Sequence, residues 1–360
     1  MGAITLAACS PSRAIESVRL LQELASEEET APVPRRMAEC YQVRGKEYEA
    51  DLYLPPAGAR ASIVLVPGVT PQGKDDPRLV AFARDLARAR LLVLVPEISN
   101  LRELKVSAED AEVIAGAVGY LAGRQRPLGI TAISYAAGPA MLAALGDEAG
   151  RDVEFMILIG GYYDIGAVVR FFSTGFYRDG LGQPWQHREP NAYGKWVFAR
   201  SNADRLTEPR DRHLLRTIAD RKLGDLNAAV EDLVSDLGPE GRSVLDLLTN
   251  RDPERVGTLI AGLPPSIRLG MEALDVSRRD LSRISANVIL VHGRDDAIIP
   301  VSESRALAAA LPEGRADLFV VNGLAHADLR DVTPGDALTL WRAVYRVLQM
   351  RDSPAWPAPD

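Results

Sequence analysis

Short, continuous apolar runs alternate along the chain with segments whose apolar residues recur every three or four positions. The runs occupy residues 62–67, 91–96, 129–133, 154–159 and 287–292. Runs of this length predict strands that are buried on both faces of a sheet. Helices are predicted between them: Asp76-Pro77 has the residues of a helix start, and Ser107 and Asp110 have the spacing of a capping box. The repeated order of strand, helix and strand predicts an α/β fold with a mostly parallel central sheet flanked by helices.

The two ends of the chain add smaller elements to this sheet. Helical spacing over 12–25 predicts a peripheral helix, which an acidic, proline-bearing linker joins to the rest. Alternating runs over 39–43 and 48–54 predict an opening antiparallel pair of strands. Near the other end the pattern predicts a helix, a strand and a last helix; they cover 302–311, 316–321 and the residues after the capping box at Thr333.

The alternation stops at Gly160 and resumes at Asn287, which predicts a long insertion between two strands of the sheet. Its helical patterns cover 212–222, 226–237, 243–248 and 255–263, and it contains no convincing strand pattern. We therefore predict four regions: 1–37 as an N-terminal tether with a peripheral helix, 38–160 and 285–350 as the core, 161–284 as a helical cap, and 351–360 as a disordered tail.

Composition and charge exclude several classes of function. The 360 residues are 47% hydrophobic and carry a net charge of −7 without any basic block, so nucleic-acid binding is not expected. No apolar run approaches the roughly 18 residues that a membrane-spanning helix needs. The four histidines and two cysteines show no metal-binding spacing, so we expect neither a metal nor another cofactor.

Cys9 has a context that bears on localisation. The residues Leu6-Ala-Ala-Cys-Ser resemble a bacterial lipobox, although only eight residues precede the cysteine. Either this resemblance is chance, or the chain begins inside a longer signal sequence. The second alternative predicts lipidation at Cys9 and a place in the cell envelope or periplasm, whereas the first predicts a cytoplasmic protein.

Ser134 lies where a predicted strand meets a predicted helix, which is the arrangement of a nucleophile elbow. The small residues on either side are Ala132 and Ala136, so the motif is A-x-S-x-A rather than G-x-S-x-G. A serine hydroxyl needs a base within hydrogen-bond reach and an acid that orients the base. Asp296 and His326 follow the predicted strands at 287–292 and 316–321, in the required order, and both occupy predicted strand ends. Asp295 and Asp328 are competing candidates for the acid.

These motifs together resemble the α/β-hydrolase superfamily over approximately residues 38–350. The pattern H-G-x-x-D-x-x-x-P at 292–300 is the most specific, followed by the elbow at Ser134 and G-x-x-H at 323–326. The resemblance implies a triad of Ser134, Asp296 and His326, because the family motif has its acid three residues after the glycine, here Gly293. It also implies an oxyanion hole formed by the backbone N–H groups of Val69 and Tyr135. His292 is interpreted as structural.

The insertion corresponds to the position where this family has its cap, and the first part of the insertion is rich in aromatic residues. We interpret Tyr163 and Trp185 as part of an apolar pocket above Ser134, which favours hydrophobic acyl substrates. The resulting prediction is a serine hydrolase of carboxylic esters or related acyl compounds. The alternatives on the same fold are a peptidase, an acyltransferase or a carbon–carbon hydrolase. A non-catalytic envelope binding protein also remains an alternative because of the two alanines of the elbow.

Overall fold

The strands of this chain were located in a computed structural model, which describes residues 10–24, 32–325, 328–329 and 333–353. The main strands are β1 (Arg35–Val43), β2 (Lys46–Leu54), β3 (Ala61–Val66), β4 (Leu91–Pro96), β5 (Leu128–Ile133) and β6 (Phe155–Ile159). They are followed by β7 (Phe176–Tyr177), β8 (Gln186–His187), β9 (Asn287–Gly293), β10 (Ala316–Val321), β11 (Leu324–Ala325) and β12 (Asp328–Leu329).

Helices connect most of these strands. Those before β6 are α1 (Pro11–Leu24), α2 (Pro77–Arg88), α3 (Ser99–Arg102), α4 (Asp110–Ala122), α5 (Ala137–Leu145) and α6 (Ala149–Asp152). Those between β6 and β9 are α7 (Ile165–Thr174), α8 (Tyr193–Ala203), α9 (Pro209–Gly224), α10 (Glu231–Val234), α11 (Pro239–Thr249), α12 (Val256–Ala261) and α13 (Pro265–Leu274). The last two are α14 (Ser302–Ala310) and α15 (Pro334–Arg351).

Within the described residues, eight strands hydrogen-bond into one sheet in the order β1-β2-β4-β3-β5-β6-β9-β10. Strand β2 runs antiparallel to both of its neighbours, and all pairs from β4 to β10 are parallel. Every residue of β3 and β4 is buried, as the continuous apolar runs predict. Helices α2 and α15 pack on one face of the sheet, and α4 and α5 pack on the other. The predicted mostly parallel sheet flanked by helices is therefore confirmed.

The register places the ends of the parallel strands at one edge of the sheet. Val66 pairs with Ala132, and Ile133 pairs with Ile159, which in turn pairs with Val291. Because neighbouring strands lie about 4.8 Å apart, the segments that follow β3, β5 and β9 emerge close together. This edge is where an open α/β sheet forms its sites.

The segment between β6 and β9 is mainly helical but differs in detail from the prediction. The predicted helix over 226–237 is wrong for most of its length, since only α10 forms there. Asp225 instead accepts hydrogen bonds from the backbone N–H groups of Asn227 and Ala228, which hold a turn. Helices α7, α8 and α13 were not predicted, and neither was the small hairpin of β7 and β8.

The predicted capping boxes lie at the N-termini of α4 and α15. At α15 the predicted capping box is present, with the Thr333 side chain accepting from the Asp336 N–H and the Asp336 side chain accepting from the Thr333 N–H. At α4 the predicted start is early. The Ser107 N–H donates to Asp110 Oδ2 at 3.0 Å, but the Ser107 hydroxyl accepts from Glu109 and the helix begins at Asp110.

The N-terminal helix α1 packs against α15, and buried Arg351 links them by donating to Glu16 and to the Ala89 carbonyl. Cys9 and residues 354–360 of the predicted disordered tail lie outside the described residues. The predicted start of the tail at 351 is too early, because Arg351 is the last residue of α15 and is buried. In the ranges that the structure describes, no helix is both long enough and apolar enough to cross a membrane.

Candidate active site

Ser134 occupies the sharp turn between β5 and the helical residues that precede α5. Its φ is +60°, in the left-handed region that residues other than glycine rarely adopt. The serine is 5% exposed, and Ala132 and Ala136 on either side are fully buried. A strained serine between a strand and a helix is the geometry of a nucleophile elbow, and the turn accommodates both alanine methyl groups.

Asp296 follows β9 and is completely buried. One of its carboxylate oxygens, Oδ1, accepts hydrogen bonds from the backbone N–H groups of Ile298 at 2.7 Å and Ile299 at 3.1 Å. These bonds fix the carboxylate in one orientation. The neighbouring Asp295 has a side chain that is 68% exposed and pairs with Arg188 at 3.4 Å. Burial and fixed orientation therefore distinguish Asp296 from Asp295.

Of the two histidines that follow Ser134 near this edge in the sequence, the structure describes His292, the penultimate residue of β9. His292 is fully buried, and its ring nitrogens contact the Ser304 hydroxyl at 2.7 Å and the Ile299 carbonyl at 2.9 Å. Its Nε2 also lies 3.5 Å from Asp296 Oδ2. With both nitrogens engaged within the protein, His292 has the contacts of a structural residue. His326, the predicted base, lies outside the described residues.

The loop after β3 brings Val69 beside the elbow. Gly68 lies against Ile133, the residue before the candidate nucleophile. The Val69 N–H has no acceptor in the part of the chain that the structure describes. Tyr135 lies in the first turn of the helical segment, where backbone N–H groups have no intrahelical acceptor. Both predicted oxyanion donors thus flank the start of the elbow.

A short segment of the insertion, residues 188–193, contacts the loop after β3 and the loop after β9. From this segment, which we call the bridging segment, Arg188 donates to the carbonyl of Arg294 at 2.9 Å and to that of Asp296 at 3.2 Å. The Asn191 N–H donates to the Ala297 carbonyl at 2.7 Å, and the Tyr193 hydroxyl donates to the Val69 carbonyl at 3.1 Å. The bridging segment therefore ties the loop that carries Asp296 to the loop that carries Val69.

The two predicted pocket residues lie in different surroundings. Tyr163 is half-buried where the chain leaves β6, and its N–H donates to Glu303 at 3.1 Å. Trp185 lies in the small hairpin, where its Nε1–H donates to Glu254 at 2.8 Å and its ring lies near the guanidinium groups of Arg170 and Arg178. A small cavity lies beside the Tyr135 side chain, and neither Tyr163 nor Trp185 lines it. The role of these two residues in a substrate pocket stays a prediction.

Glu303 is a buried carboxylate at the base of the insertion. Its Oε2 accepts from the N–H groups of Tyr163 at 3.1 Å and Asp164 at 2.8 Å. Burial raises the pKa of Glu303 to about 8, against the lowering effect of these two hydrogen bonds. Like Arg188 and Tyr193, Glu303 was not singled out from the sequence, because its role depends on contacts between segments far apart in the chain.

No group of three or more histidine, cysteine, aspartate or glutamate side chains arranged to hold a metal occurs among the described residues. The polar groups gathered at this edge are instead a hydroxyl, a buried carboxylate and backbone N–H donors.

Comparisons with known proteins gave matches of structure only. No protein-family model matches the chain, and no curated protein matches its sequence. A puromycin-hydrolyzing peptidase of Mycobacterium tuberculosis matches with a TM-score of 0.54 and 15% identity over 91% of this chain, which spans 40% of the peptidase. A 2,6-dihydroxy-pseudo-oxynicotine hydrolase matches with a TM-score of 0.50 and 14% identity over 88% of this chain and 68% of that protein. Together with the strand order and the elbow, these matches show that this chain has the α/β-hydrolase fold.

Proposed function

We propose that this chain is a serine hydrolase that cleaves carboxylic esters or related acyl compounds through an acyl-enzyme intermediate. The observation that carries the proposal is the left-handed conformation of buried Ser134 at the carboxyl edge of the sheet. A non-glycine residue in this conformation costs about 1–2 kcal/mol, and such strain concentrates at functional sites. The hydrolase names of the two structural neighbours agree with the proposal at the level of reaction class.

In the proposed mechanism Ser134 Oγ attacks the acyl carbonyl while His326 accepts the serine proton. Asp296 orients His326 and stabilises the positive charge that forms on its ring. The N–H groups of Val69 and Tyr135 donate to the oxyanion of the tetrahedral intermediate. Collapse of this intermediate expels the alcohol or amine, which takes the proton from His326.

The second half of the reaction returns the enzyme to its starting state. A water molecule gives a proton to His326 and attacks the acyl-enzyme carbonyl, and Ser134 leaves with the proton that His326 returns. The helical insertion between β6 and β9 acts as the cap of the site, and its bridging segment holds the two catalytic loops. All of these steps use side chains and backbone groups of the chain itself.

The experiment that tests the proposal is labelling with a fluorophosphonate probe, followed by peptide mapping. The folded protein should form one adduct at Ser134, and the Ser134→Ala variant should form none. Heat-denatured protein serves as the control, because only the folded site activates the serine. A folded protein that leaves Ser134 unmodified would show that the chain is not a serine hydrolase.

The bond that is cleaved is tested separately with p-nitrophenyl esters and p-nitroanilides that share the same acyl group. We expect faster turnover of the esters. A preference for the anilides would instead assign the chain to the peptidase alternative.

A further inference from the structure

Tyr135 lines a narrow cavity between the sheet and the insertion. The cavity has a volume of about 40 Å³, and its lining includes Tyr162, Phe172, Gly194, Val197 and Met271. A space of this size holds roughly three water-sized groups. It therefore suits a slim, unbranched chain rather than a ring.

The Tyr135 hydroxyl has no hydrogen-bond partner among the residues that the structure describes, although the residue is only 6% exposed. A buried hydroxyl without a partner destabilises a folded protein. Tyr162 offers a direct comparison in the same cavity. Its ring centre lies 6.4 Å from that of Tyr135, and its hydroxyl donates to the Leu274 carbonyl at 3.1 Å. Of the two tyrosines that line this cavity, Tyr135 is thus the one whose hydroxyl has no partner among the described residues.

Gly194 lets this hydroxyl lie directly against the backbone of α8. A Cβ atom at position 194 would lie 2.8 Å from the Tyr135 hydroxyl oxygen. The residue belongs to α8, one position after Tyr193, whose hydroxyl binds the candidate oxyanion loop at Val69. The hydroxyl therefore lies against a part of the insertion that borders the candidate catalytic groups.

The electrostatic surroundings select the kind of group that fits there. Burial, and to a smaller extent the charge of Asp296, raises the pKa of Tyr135 above its ordinary value. The hydroxyl consequently keeps its proton and is available as a donor. The Asp296 carboxylate disfavours an anion beside the hydroxyl, whereas Arg205, which also lines the cavity, disfavours a cation. The ligand group that is compatible with both is an uncharged oxygen acceptor.

We propose that the Tyr135 hydroxyl is a specificity-determining hydrogen-bond donor for an uncharged oxygen, such as a keto or ether oxygen, in a short unbranched acyl chain. This inference rests on the proposed hydrolase function and specifies its substrate class. It differs from the role of the Tyr135 backbone N–H, because the hydroxyl binds the acyl chain and not the reacting carbonyl. The apolar lining contacts the methylene groups on either side of the acceptor oxygen.

The test compares p-nitrophenyl 4-oxopentanoate with p-nitrophenyl pentanoate, which differ in the keto oxygen. The measured quantity is the ratio of the two kcat/KM values, from which any common effect on catalysis cancels. We expect the wild type to prefer the oxo ester, and Tyr135→Phe to lower the ratio by about 10-fold or more. Gly194→Ala should lower the ratio as well, because its methyl group would lie 2.8 Å from the hydroxyl oxygen and displace it from this position.

Tyr162→Phe is the matched control, because it removes a hydroxyl that already has a protein partner. Its ratio should equal that of the wild type. An equal response of both esters to Tyr135→Phe would overturn the inference and assign the cavity to water alone. A wild type without any preference for the oxo ester would overturn it too.

A binding measurement separates failure of this inference from failure of the proposed function. In the Ser134→Ala background, calorimetry measures the affinities of the two esters without turnover. Tighter binding of the oxo ester that disappears when Tyr135→Phe is added supports the hydroxyl as a ligand, even if Ser134 does not react with fluorophosphonates. Equal affinities for the two esters, with and without Tyr135→Phe, would show that the hydroxyl does not bind the acyl chain, even if Ser134 is the nucleophile.

Discussion

At the scale of single residues, the backbone of Ser134 is the feature that most needs an explanation. A left-handed serine is held in place only because the strand before it and the helix after it are packed in the core. The left-handed turn reverses the chain at the strand end, so the serine hydroxyl lies at the edge where the loops after β3 and β9 emerge. The strain and the proposed reactivity thus have the same structural origin.

Comparing Ser134→Gly with Ser134→Ala isolates the backbone strain. Both variants lose the hydroxyl, but only glycine adopts a positive φ without steric cost. We expect Ser134→Gly to be more stable than Ser134→Ala by about 1 kcal/mol. Chemical denaturation measures this difference, and neither variant should react with a fluorophosphonate. Equal stabilities would show that the left-handed conformation is not strained in this protein.

The two aspartates after β9 provide a matched pair of substitutions. Asp296→Asn should lower kcat by several orders of magnitude, about 10⁴-fold in related triads, because an amide orients the histidine in the wrong tautomer. Asp295→Asn should change kcat less than threefold, since an exposed ion pair contributes little. Steady-state kinetics with a p-nitrophenyl ester measures both. A larger loss for Asp295→Asn would reverse the assignment of the acid.

At the scale of secondary-structure elements, the bridging segment connects β8 to α8 and contacts two loops of the core. Its donors are the Arg188 guanidinium, the Asn191 N–H and the Tyr193 hydroxyl. They donate to backbone carbonyls, and Arg188 also pairs with the exposed Asp295 carboxylate. Such bonds set loop conformation without taking part in chemistry. We therefore expect the insertion to position the proposed site in addition to covering it.

Arg188→Ala should consequently act on turnover rather than on binding. Loss of the bonds to the carbonyls of Arg294 and Asp296 leaves the acid loop less constrained, and we expect kcat to fall by about 10-fold with little change in KM. Arg305→Ala is the control, because Arg305 forms a comparable surface ion pair with Asp179 and contacts neither loop. Activity is measured well below the melting temperature of each variant. If both variants retain wild-type kcat, Arg188 contributes only to stability.

The same elements show how far the sequence alone predicts this molecule. Strands such as β3 and β4 were predictable because burial on both faces requires a continuous apolar run. Helix α8 was not, because its pattern is only weakly amphipathic, with buried residues around much of its surface. The triad of Ser134, Asp296 and His326 stays a prediction from motif spacing. Arg188 was not predictable, because its partners lie more than 100 residues away and leave no local signal.

At the scale of the whole molecule, the insertion is joined to the sheet at a site that contains several acidic groups. The chain enters the insertion at Tyr163 and Asp164, and the N–H groups of both residues donate to Glu303. It returns through Asp275 and Ser277, and the Ser277 N–H donates to the Tyr163 carbonyl. Glu303 itself belongs to α14 of the core. The ionisable side chains that act on it electrostatically or face it are Asp164, Asp275, Tyr162, Tyr163 and Arg170.

This junction predicts a specific pH dependence of stability. Burial raises the pKa of Glu303 to about 8 in the folded protein, from 4.5 for an exposed glutamate. Between these values the folded state binds a proton that the unfolded state has released, so the free energy of unfolding falls as the pH rises. The contribution is fully present below pH 4.5 and is lost as the pH rises to about 8. The slope for one proton is at most about 1.4 kcal/mol per pH unit.

Glu303→Gln removes the titrating group and keeps a carbonyl oxygen that can accept from Tyr163 and Asp164. Asp85 and Asp110, whose burial raises their pKa values to about 6, affect wild type and variant equally. The difference in unfolding free energy, wild type minus variant, should therefore fall steadily between pH 5 and pH 8. Urea denaturation at each pH unit measures it. A difference that stays constant would mean that the two backbone N–H groups keep Glu303 ionised throughout this range. The contribution of Glu303 to the free energy of unfolding would then be the same at every pH between 5 and 8.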